Sequence, residues 1–353
     1  MSKRGQAKPA TLTDVARLAG VSIPTASRAL NGGVRGDSSG NQELRERVRV
    51  AARELGYSVN PAAQAVKGGR ARTIALVVSD MDDFGSATMI AGVMHAAETR
   101  GVSVAVRTTH DDARREDELL KELRGERHRG IVFATSRTVD AVRERDMDEN
   151  LRVLQDQGAQ IVIIGDSVLP YPSVVINNQQ AAEQLATGLF DAGHRRFAIV
   201  AGPAEQVTSE DRVRGFLDGL EKRGLDTSDV QVVHVEFSRN GGYAALEELA
   251  TDPGSIDVIA AMSDAMAVGV IAALRDDGVD PAIAPEVSGF DHVPMLGDVL
   301  PDFSTVEVPL EEFGEAALSL VFESEPVREV DPRTIQLEAR PVVHGRSLVV
   351  KDS

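Results

Sequence analysis

Residues that perform covalent or metal-assisted catalysis are scattered along this sequence and match none of the spacings that such chemistry needs. The chain has no cysteine, which excludes disulfides, thiolate metal sites and a cysteine nucleophile. Its seven histidines include no HExxH pair, and no serine lies in a Gly-Xaa-Ser-Xaa-Gly elbow. The phosphate-binding patterns GxGxxG and GxxxxGKS/T are also missing, and His194 is interpreted as a turn residue. The sequence therefore predicts a protein that is not an enzyme and that has neither a metal site nor a cofactor.

Basic residues concentrate at the start of the chain, where they suit contacts with phosphates. The first 70 residues hold 12 Lys and Arg against 5 Asp and Glu, a net charge of +7, whereas the remainder carries −24. This asymmetry is typical of a basic DNA-binding head on an acidic body. Residues 1–10 are basic without a following apolar core, so we expect a disordered arm rather than a signal peptide. No apolar run approaches the ~20 residues of a membrane helix, which favours a cytoplasmic protein.

Three short helices are predicted in the head. Thr13 is the expected N-cap of the first helix, and Gly20 ends it. Ser22 is the expected N-cap of a second helix at 23–30, and a third helix is predicted to start near Asn41. Two short helices joined by a glycine-containing turn indicate a helix-turn-helix, which the third helix would complete as a small bundle.

Specific motifs run through head and body. In the head they are Thr11–Ser22, Thr25–Arg28, Leu30–Gly32, Ala51–Tyr57 and Asn60–Pro61; in the body, Ala192–Pro203, Arg212–Phe216, Asp264–Gly269, Ser288–Asp291 and Ser304–Val306. These segments resemble the lactose-repressor/galactose-repressor (LacI/GalR) family of bacterial transcriptional regulators. The resemblance implies a sequence-specific DNA-binding repressor, controlled allosterically by a small polar effector such as a sugar. It also implies a homodimer on palindromic operator DNA, associated with the nucleoid when bound.

The same resemblance implies that the second helix enters the major groove. It assigns DNA contacts to Thr13, Ser22, Ile23, Pro24, Thr25, Ser27, Arg28, Asn31 and Val66. Arg28 can donate two hydrogen bonds to a guanine edge, the commonest specific contact. Ile23 and Pro24 either touch thymine methyl groups or pack within the head. Thr25 and Ser27 are expected to bind phosphates, which fix position rather than sequence.

Two segments around the head differ in how closely they follow the family. Residues 60–71 correspond to a hinge helix that forms only on DNA, with Val66 at the position of a leucine wedge; the alternative is a plain linker. The loop at 33–40 is longer than the family's by about five residues and rich in Gly and Ser. Its Arg35 either contacts phosphate or is a solvated charge.

Apolar strand-like runs, beginning with Thr73–Val78, alternate with helical patterns through the body at 72–350. Two such series predict an α/β fold of two doubly wound parallel sheets, with a cleft at the carboxyl ends of the strands. The resemblance implies a body like a periplasmic sugar-binding protein, placed after the headpiece at 11–59. The expected crossings between lobes lie near Ile176, Phe303 and Ile335. These crossings define lobe 1 at about 72–176 and 304–334, and lobe 2 at about 177–303 and 335–350.

The resemblance also assigns four effector residues, Asp166, Arg212, Ser263 and Asp291. Phe84 and Asp83 are further candidates, for stacking on a ring and for binding hydroxyls or a cation; the alternative is an exposed acidic loop. Asp and Arg suit a polyol because each makes two directed hydrogen bonds. Ser263 stands where the family usually has Asn, and Asp80–Ser86 departs from the family's first cleft loop, so the ligand stays open. Induction or corepression, and repression or activation, also stay open. A transport binding protein would match the body but not the basic head.

Overall fold

The computed structural model describes residues 10–31, 39–57, 72–81, 84–249, 253–323 and 333–344, in two units that comprise residues 1–71 and 72–353. The basic arm, most of the loop at 33–40, the hinge with Val66, and Asp83 lie outside the described residues.

The head contains the predicted helix-turn-helix: α1 (Leu12–Leu18), α2 (Ile23–Asn31) and α3 (Ser39–Glu54). The N-cap of α1 is Thr11, and the prediction of Thr13 is wrong. Thr11 Oγ1 accepts a hydrogen bond from Asp14 N–H at 3.3 Å, and Asp14 Oδ2 accepts one from Thr11 N–H at 3.0 Å. This reciprocal capping box places Thr13 inside the helix, where it is exposed.

Small side chains form the core of the head. The buried members are Val15, Ala16, Ala19, Ala26, Ala29, Val48, Ala51 and Ala52. Tyr57 packs against them after Gly56, whose φ of +62° reverses the chain beyond α3. The third helix begins at Ser39, two residues before the predicted start.

Strands and helices alternate along the body. The strands are β1 (Thr73–Val78), β2 (Ser103–Thr108), β3 (Gly130–Ala134), β4 (Gln160–Ile164), β5 (Ser173–Ile176), β6 (Phe197–Ala201), β7 (Gln231–His234), β8 (Val258–Ala261), β9 (Glu286–Ser288), β10 (Thr305–Glu307), β11 (Thr334–Leu337) and β12 (Arg340–Val342). The helices are α4 (Phe84–Thr99), α5 (Ala113–Gly125), α6 (Ala141–Asp156), α7 (Asn178–Asp191), α8 (Val207–Lys222), α9 (Arg239–Glu248), α10 (Asp264–Asp276), α11 (Pro294–Val299) and α12 (Leu310–Phe322).

Ten of the described strands form one parallel sheet in each lobe, as the alternation predicts, and β10 and β12 form a separate antiparallel pair. Lobe 1 has the order β11-β5-β4-β3-β1-β2, and lobe 2 has the order β7-β6-β8-β9. Because helices cover both faces, the central strands are mostly apolar; Ile74 to Val78 in β1 are fully buried. One hydrophobic cluster extends from α4 and α12 in lobe 1 to α7 and α8 in lobe 2.

The chain crosses between the lobes at slightly different points from those expected. Ile335 pairs with Val174 inside the lobe 1 sheet, so the last crossing follows β11 rather than preceding it. Strand β10 stays with lobe 2, because Asp291 N–H donates to Val306 O at 2.9 Å. The predicted lobe boundaries at 304 and 335 are therefore wrong by a few residues. The chain leaves each lobe only after the strand that is hydrogen-bonded to that lobe has ended.

Candidate nucleic-acid interface and effector cleft

Helix α2 presents the expected reading residues on one exposed face. Ile23, Pro24 and Arg28 are exposed, whereas Ala26 and Ala29 on the opposite face are buried in the head. The Arg28 side chain lies back along the helix, and its Nε donates to Pro24 O at 3.3 Å. This face can therefore meet a base edge without disturbing the core of the head.

The start of α2 is capped by Ser22, as predicted. Ser22 Oγ accepts a hydrogen bond from Thr25 N–H at 3.3 Å and lies 2.8 Å from Thr25 Oγ1. Both hydroxyls lie at the helix N-terminus, where backbone N–H groups and the helix dipole favour a phosphate. Ser27 is half-buried one residue before Arg28, and Asn31 is the last residue of α2.

A cavity of about 350 Å³ lies between the lobes at the carboxyl ends of both sheets. The following residues line it: Ser79, Asp80, His110, Asp111 and Ser136 from lobe 1, and Pro203, Gln206, Arg212, Glu236, Phe237, Ser238 and Asp291 from lobe 2. Ligands of doubly wound sheets bind at this edge, and the volume suits a small metabolite. We call this cavity the cleft.

Arg212 is the most constrained cation of the cleft. Its side chain is 7% exposed, with Nε donating to Asn178 Oδ1 at 2.9 Å and Nη1 to Met262 O at 2.6 Å. Nη2 lies 3.8 Å from Asp291 Oδ1, and the guanidinium carbon stacks 3.7 Å from the centroid of the Phe290 ring. These contacts fix the plane of the guanidinium, so its hydrogen-bond donors are preorganised for a ligand.

Asp166, which was predicted as an effector contact, does not line the cleft. Burial raises its pKa, as does the charge of Asp211, whereas a hydrogen bond with Asn178 opposes the shift. Asn178 therefore connects Asp166 to Arg212. Sequence reasoning missed Asn178; its one signal is a polar residue at the first helical position after the crossing at Ile176.

Two other predicted effector residues have different surroundings. Ser263 is 2% exposed, and its Oγ caps α10 by accepting Met266 N–H at 3.2 Å. Phe84 begins α4 and is 41% exposed; it is not among the cleft-lining residues. The aromatic side chain that does line the cleft is Phe237, whose ring centroid lies 5.8 Å from the Arg212 guanidinium carbon.

Asp264 fixes the loop that carries Asp291. It is 1% exposed, and it accepts hydrogen bonds from Val293 N–H at 2.7 Å and Thr305 Oγ1 at 2.8 Å. Burial raises its pKa, and both hydrogen bonds oppose the rise. The carboxylate thus fastens the loop after β9 to the start of β10.

Backbone strain is concentrated around the cleft. Among described residues other than glycine, φ is positive at His110 (52°), Asp111 (54°), Asp291 (125°) and His292 (56°). Three of these four line the cavity. Such conformations cost roughly 1–3 kcal/mol each and persist where the surrounding structure enforces them, often at binding sites.

The described part of the chain has no helix long and apolar enough to span a bilayer. Within those same residues, His, Asp and Glu side chains form no group of three that could hold a metal ion.

Comparison with known proteins follows the same division into head and body. Residues 11–60 match the family model "Bacterial regulatory proteins, lacI family", and residues 71–339 match "Periplasmic binding proteins and sugar binding domain of LacI family". Catabolite control protein A of Priestia megaterium is 26% identical over 94% of this chain and 97% of its own length. The ribose operon repressor of Escherichia coli K12 is 27% identical over 96% of this chain and 99% of its own length.

Solved structures agree with these relatives. The lac repressor dimer bound to operator and the anti-inducer ONPF has a TM-score of 0.76 at 20% identity, covering 96% of this chain and 99% of that one. The complex of the transcriptional regulator CelR with cellobiose has a TM-score of 0.67 at 27% identity, covering 95% and 99%. The chain belongs to the LacI family of DNA-binding transcriptional regulators.

Proposed function

We propose that this regulator is a dimeric repressor whose two α2 helices read a palindromic operator, and whose operator affinity is set by a small hydroxylated molecule in the cleft. The observation that carries the proposal is the Arg212 cluster. A buried guanidinium with fixed partners, next to Asp291 on a strained loop, is an arrangement for directed hydrogen bonds to a ligand.

Dimerisation follows from the size of the head. One three-helix head buries too little DNA surface for useful specificity, and two heads related by a two-fold axis read both halves of a palindrome. The similar lac repressor structure is a dimer bound to operator. Light scattering at micromolar concentration should therefore give the mass of two chains.

The charges of the cleft favour an effector without phosphate or carboxylate groups. Among the described residues that line it are four carboxylates, those of Asp80, Asp111, Glu236 and Asp291. Arg212 is paired with Asp291, and His110 Nδ1 lies 3.0 Å from Asp80 Oδ2. An anionic ligand would meet a net negative surface on both lobes, whereas a neutral sugar, polyol or nucleoside would find acceptors for its hydroxyl groups.

A two-step experiment tests the proposed function. The full chain is first used to select binding sites from random-sequence DNA, and the selected site should be a palindrome. Fluorescence anisotropy with that site then measures operator affinity while sugars, nucleosides and polyols are added. Selection of no sequence would reject the assignment of a sequence-specific regulator. A selected site whose binding responds to no cleft ligand would reject effector control.

A further inference from the structure

A short backbone bridge joins the two lobes at the rim of the cleft. It connects the loop after β3 in lobe 1 with the loop before α8 in lobe 2. Val139 N–H donates to Glu205 O at 2.9 Å, Val207 N–H donates to Arg137 O at 2.9 Å, and Thr138 lies opposite Gln206 as an antiparallel pair. We call this contact the rim bridge.

The rim bridge lies next to the ligand cavity. Gln206 lines the cleft, as does Ser136, two residues before Thr138. Thr138 and Gln206 are 6% and 8% exposed, so the paired segments exclude water where they meet. Separation of the lobes at this edge would break both hydrogen bonds and open the cavity to solvent.

Lobe 1 holds its half of the rim bridge on a buried ion cluster. Arg137 is 2% exposed, with Nη1 donating to Glu116 Oε1 at 2.9 Å and Nη2 to Glu144 Oε1 at 2.8 Å. Burial lowers the pKa of Arg137, but the two carboxylates more than offset this, so the charge is retained. Glu144 also accepts Thr138 N–H at 3.3 Å.

This cluster fixes the geometry of the loop more than it adds stability. Buried ion pairs are weak sources of stability, because desolvation offsets much of their attraction. None of Arg137, Glu116 and Glu144 lines the cleft. What they do is hold Arg137 O and Val139 N–H in place to meet lobe 2.

We propose that the rim bridge is the closure contact of the cleft, and that its making and breaking is the lobe movement through which the effector changes operator affinity. This inference rests on the proposed function and identifies how its site is regulated. Two backbone hydrogen bonds are a weak contact in net free energy, so both arrangements can be populated and a ligand can shift their balance.

Two variants move the bridge in opposite directions. Val207→Pro opens it, because proline removes the N–H that donates to Arg137 O. Proline is tolerated at Val207, the first residue of α8, and the preceding Gln206 has extended φ and ψ of −88° and 128°. Val207→Ala, which keeps the N–H group, is the matched control.

Thr138→Cys with Gln206→Cys closes the bridge. The two hydrogen bonds of the rim bridge join the residues on either side of Thr138 and Gln206, and these two residues form no backbone hydrogen bond with each other. They are therefore a non-hydrogen-bonded antiparallel pair, whose Cα atoms lie about 4.5 Å apart. That spacing is within disulfide range, and the natural chain has no cysteine to compete. The reduced form of the same variant is its control.

Operator affinity, measured by anisotropy on the selected site without effector, decides the question. We expect the oxidised pair and Val207→Pro to shift affinity in opposite directions, with about a fivefold difference or more between them. Equal affinities, shifts of the same sign, or a cysteine pair that does not oxidise would overturn the proposal. Unchanged melting temperatures for Val207→Pro and Val207→Ala would show that the fold is intact. Failure of the wild-type chain to select any DNA would instead reject the proposed function.

Discussion

The charge of the cleft leads to a quantitative prediction about which ligands it rejects. Asp111 of lobe 1 and Glu236 of lobe 2 line the cavity from opposite sides. Each accepts a hydroxyl hydrogen bond, from Ser79 and Ser238 respectively, and neither forms a salt bridge with a cation in the part of the chain that the structure describes. We expect replacement of both carboxylates, as Asp111→Asn with Glu236→Gln, to reduce the cleft's discrimination against phosphorylated sugars.

The size of the cavity sets the magnitude of this effect. A sphere of 350 Å³ has a radius of about 4.4 Å. The atoms of the wall lie beyond this empty volume, so a ligand phosphate at its centre is about 6 Å from either carboxylate. At that distance a dianion and one exposed carboxylate repel by about 1.4 kcal/mol in water, and physiological salt roughly halves this. Two carboxylates therefore contribute about 1.3 kcal/mol, close to a tenfold change in affinity.

Calorimetry with matched pairs, ribose and ribose 5-phosphate or glucose and glucose 6-phosphate, tests the reasoning. The wild-type chain should bind the neutral member more tightly, and the double variant should reduce that preference about tenfold. Asparagine suits the positive φ of Asp111, so the loop should keep its shape. The control, Glu98→Gln with Asp229→Asn, changes net charge equally at exposed sites away from the cleft. Tight binding of the phosphorylated member by the wild-type chain would refute the argument.

Three further predictions concern single residues. Arg28→Ala should weaken operator binding by about 1–3 kcal/mol and relax the base preference at one position of the site. Anisotropy measured on operator sites with single base substitutions would show both effects, and unchanged affinity would contradict the assignment of the reading helix. Arg212→Lys should abolish the effector response but spare operator binding by the ligand-free protein, because lysine lacks the planar fork that meets Asn178 and Asp291; a retained response would exclude Arg212 from the site. Burial alone would raise the pKa of Asp257, but hydrogen bonds from Arg196 lower it to about 2. The ionised carboxylate therefore stabilises the fold at pH values above the ordinary aspartate pKa near 4, and this contribution to the free energy of unfolding is lost as pH falls toward 2. Urea unfolding should show Asp257→Asn to be less stable at pH 7 and equal to wild type near pH 2, and a gap independent of pH would be inconsistent with this linkage.

Local signals were sufficient to predict the head. The helix limits depend on Gly20, Ser22 and Gly56, whose turn and cap preferences act within a few residues. The error at Thr13 was also local: Thr11 and Asp14 have the three-residue spacing of a capping box, which distinguishes Thr11 from Thr13.

The cleft depends on contacts between distant parts of the chain, and there sequence reasoning was less complete. Arg212 and Asp291 line the cavity, and the resemblance alone led to their prediction as effector contacts. Ser263 was predicted as a ligand contact although a serine before a helix is a common N-cap, which is its role in the structure. Phe237 had no pattern that marked it, because its position in the cleft depends on the loop after β7.

The effector can act on DNA only through a difference between two arrangements of the lobes. Arg212, Asp291 and Gln206 line the cleft from lobe 2, whereas Asp80 and Asp111 line it from lobe 1. A ligand that contacts both sets binds one lobe arrangement better than the other, and that difference in affinity limits how far operator binding can shift. The rim bridge changes in the same movement through two backbone hydrogen bonds, and the residues that make them, Arg137, Val139, Glu205 and Val207, do not line the cleft. Variants of the rim bridge therefore open or close the lobes directly. They allow the effect of lobe closure on operator affinity to be measured apart from the contacts by which an effector would favour closure.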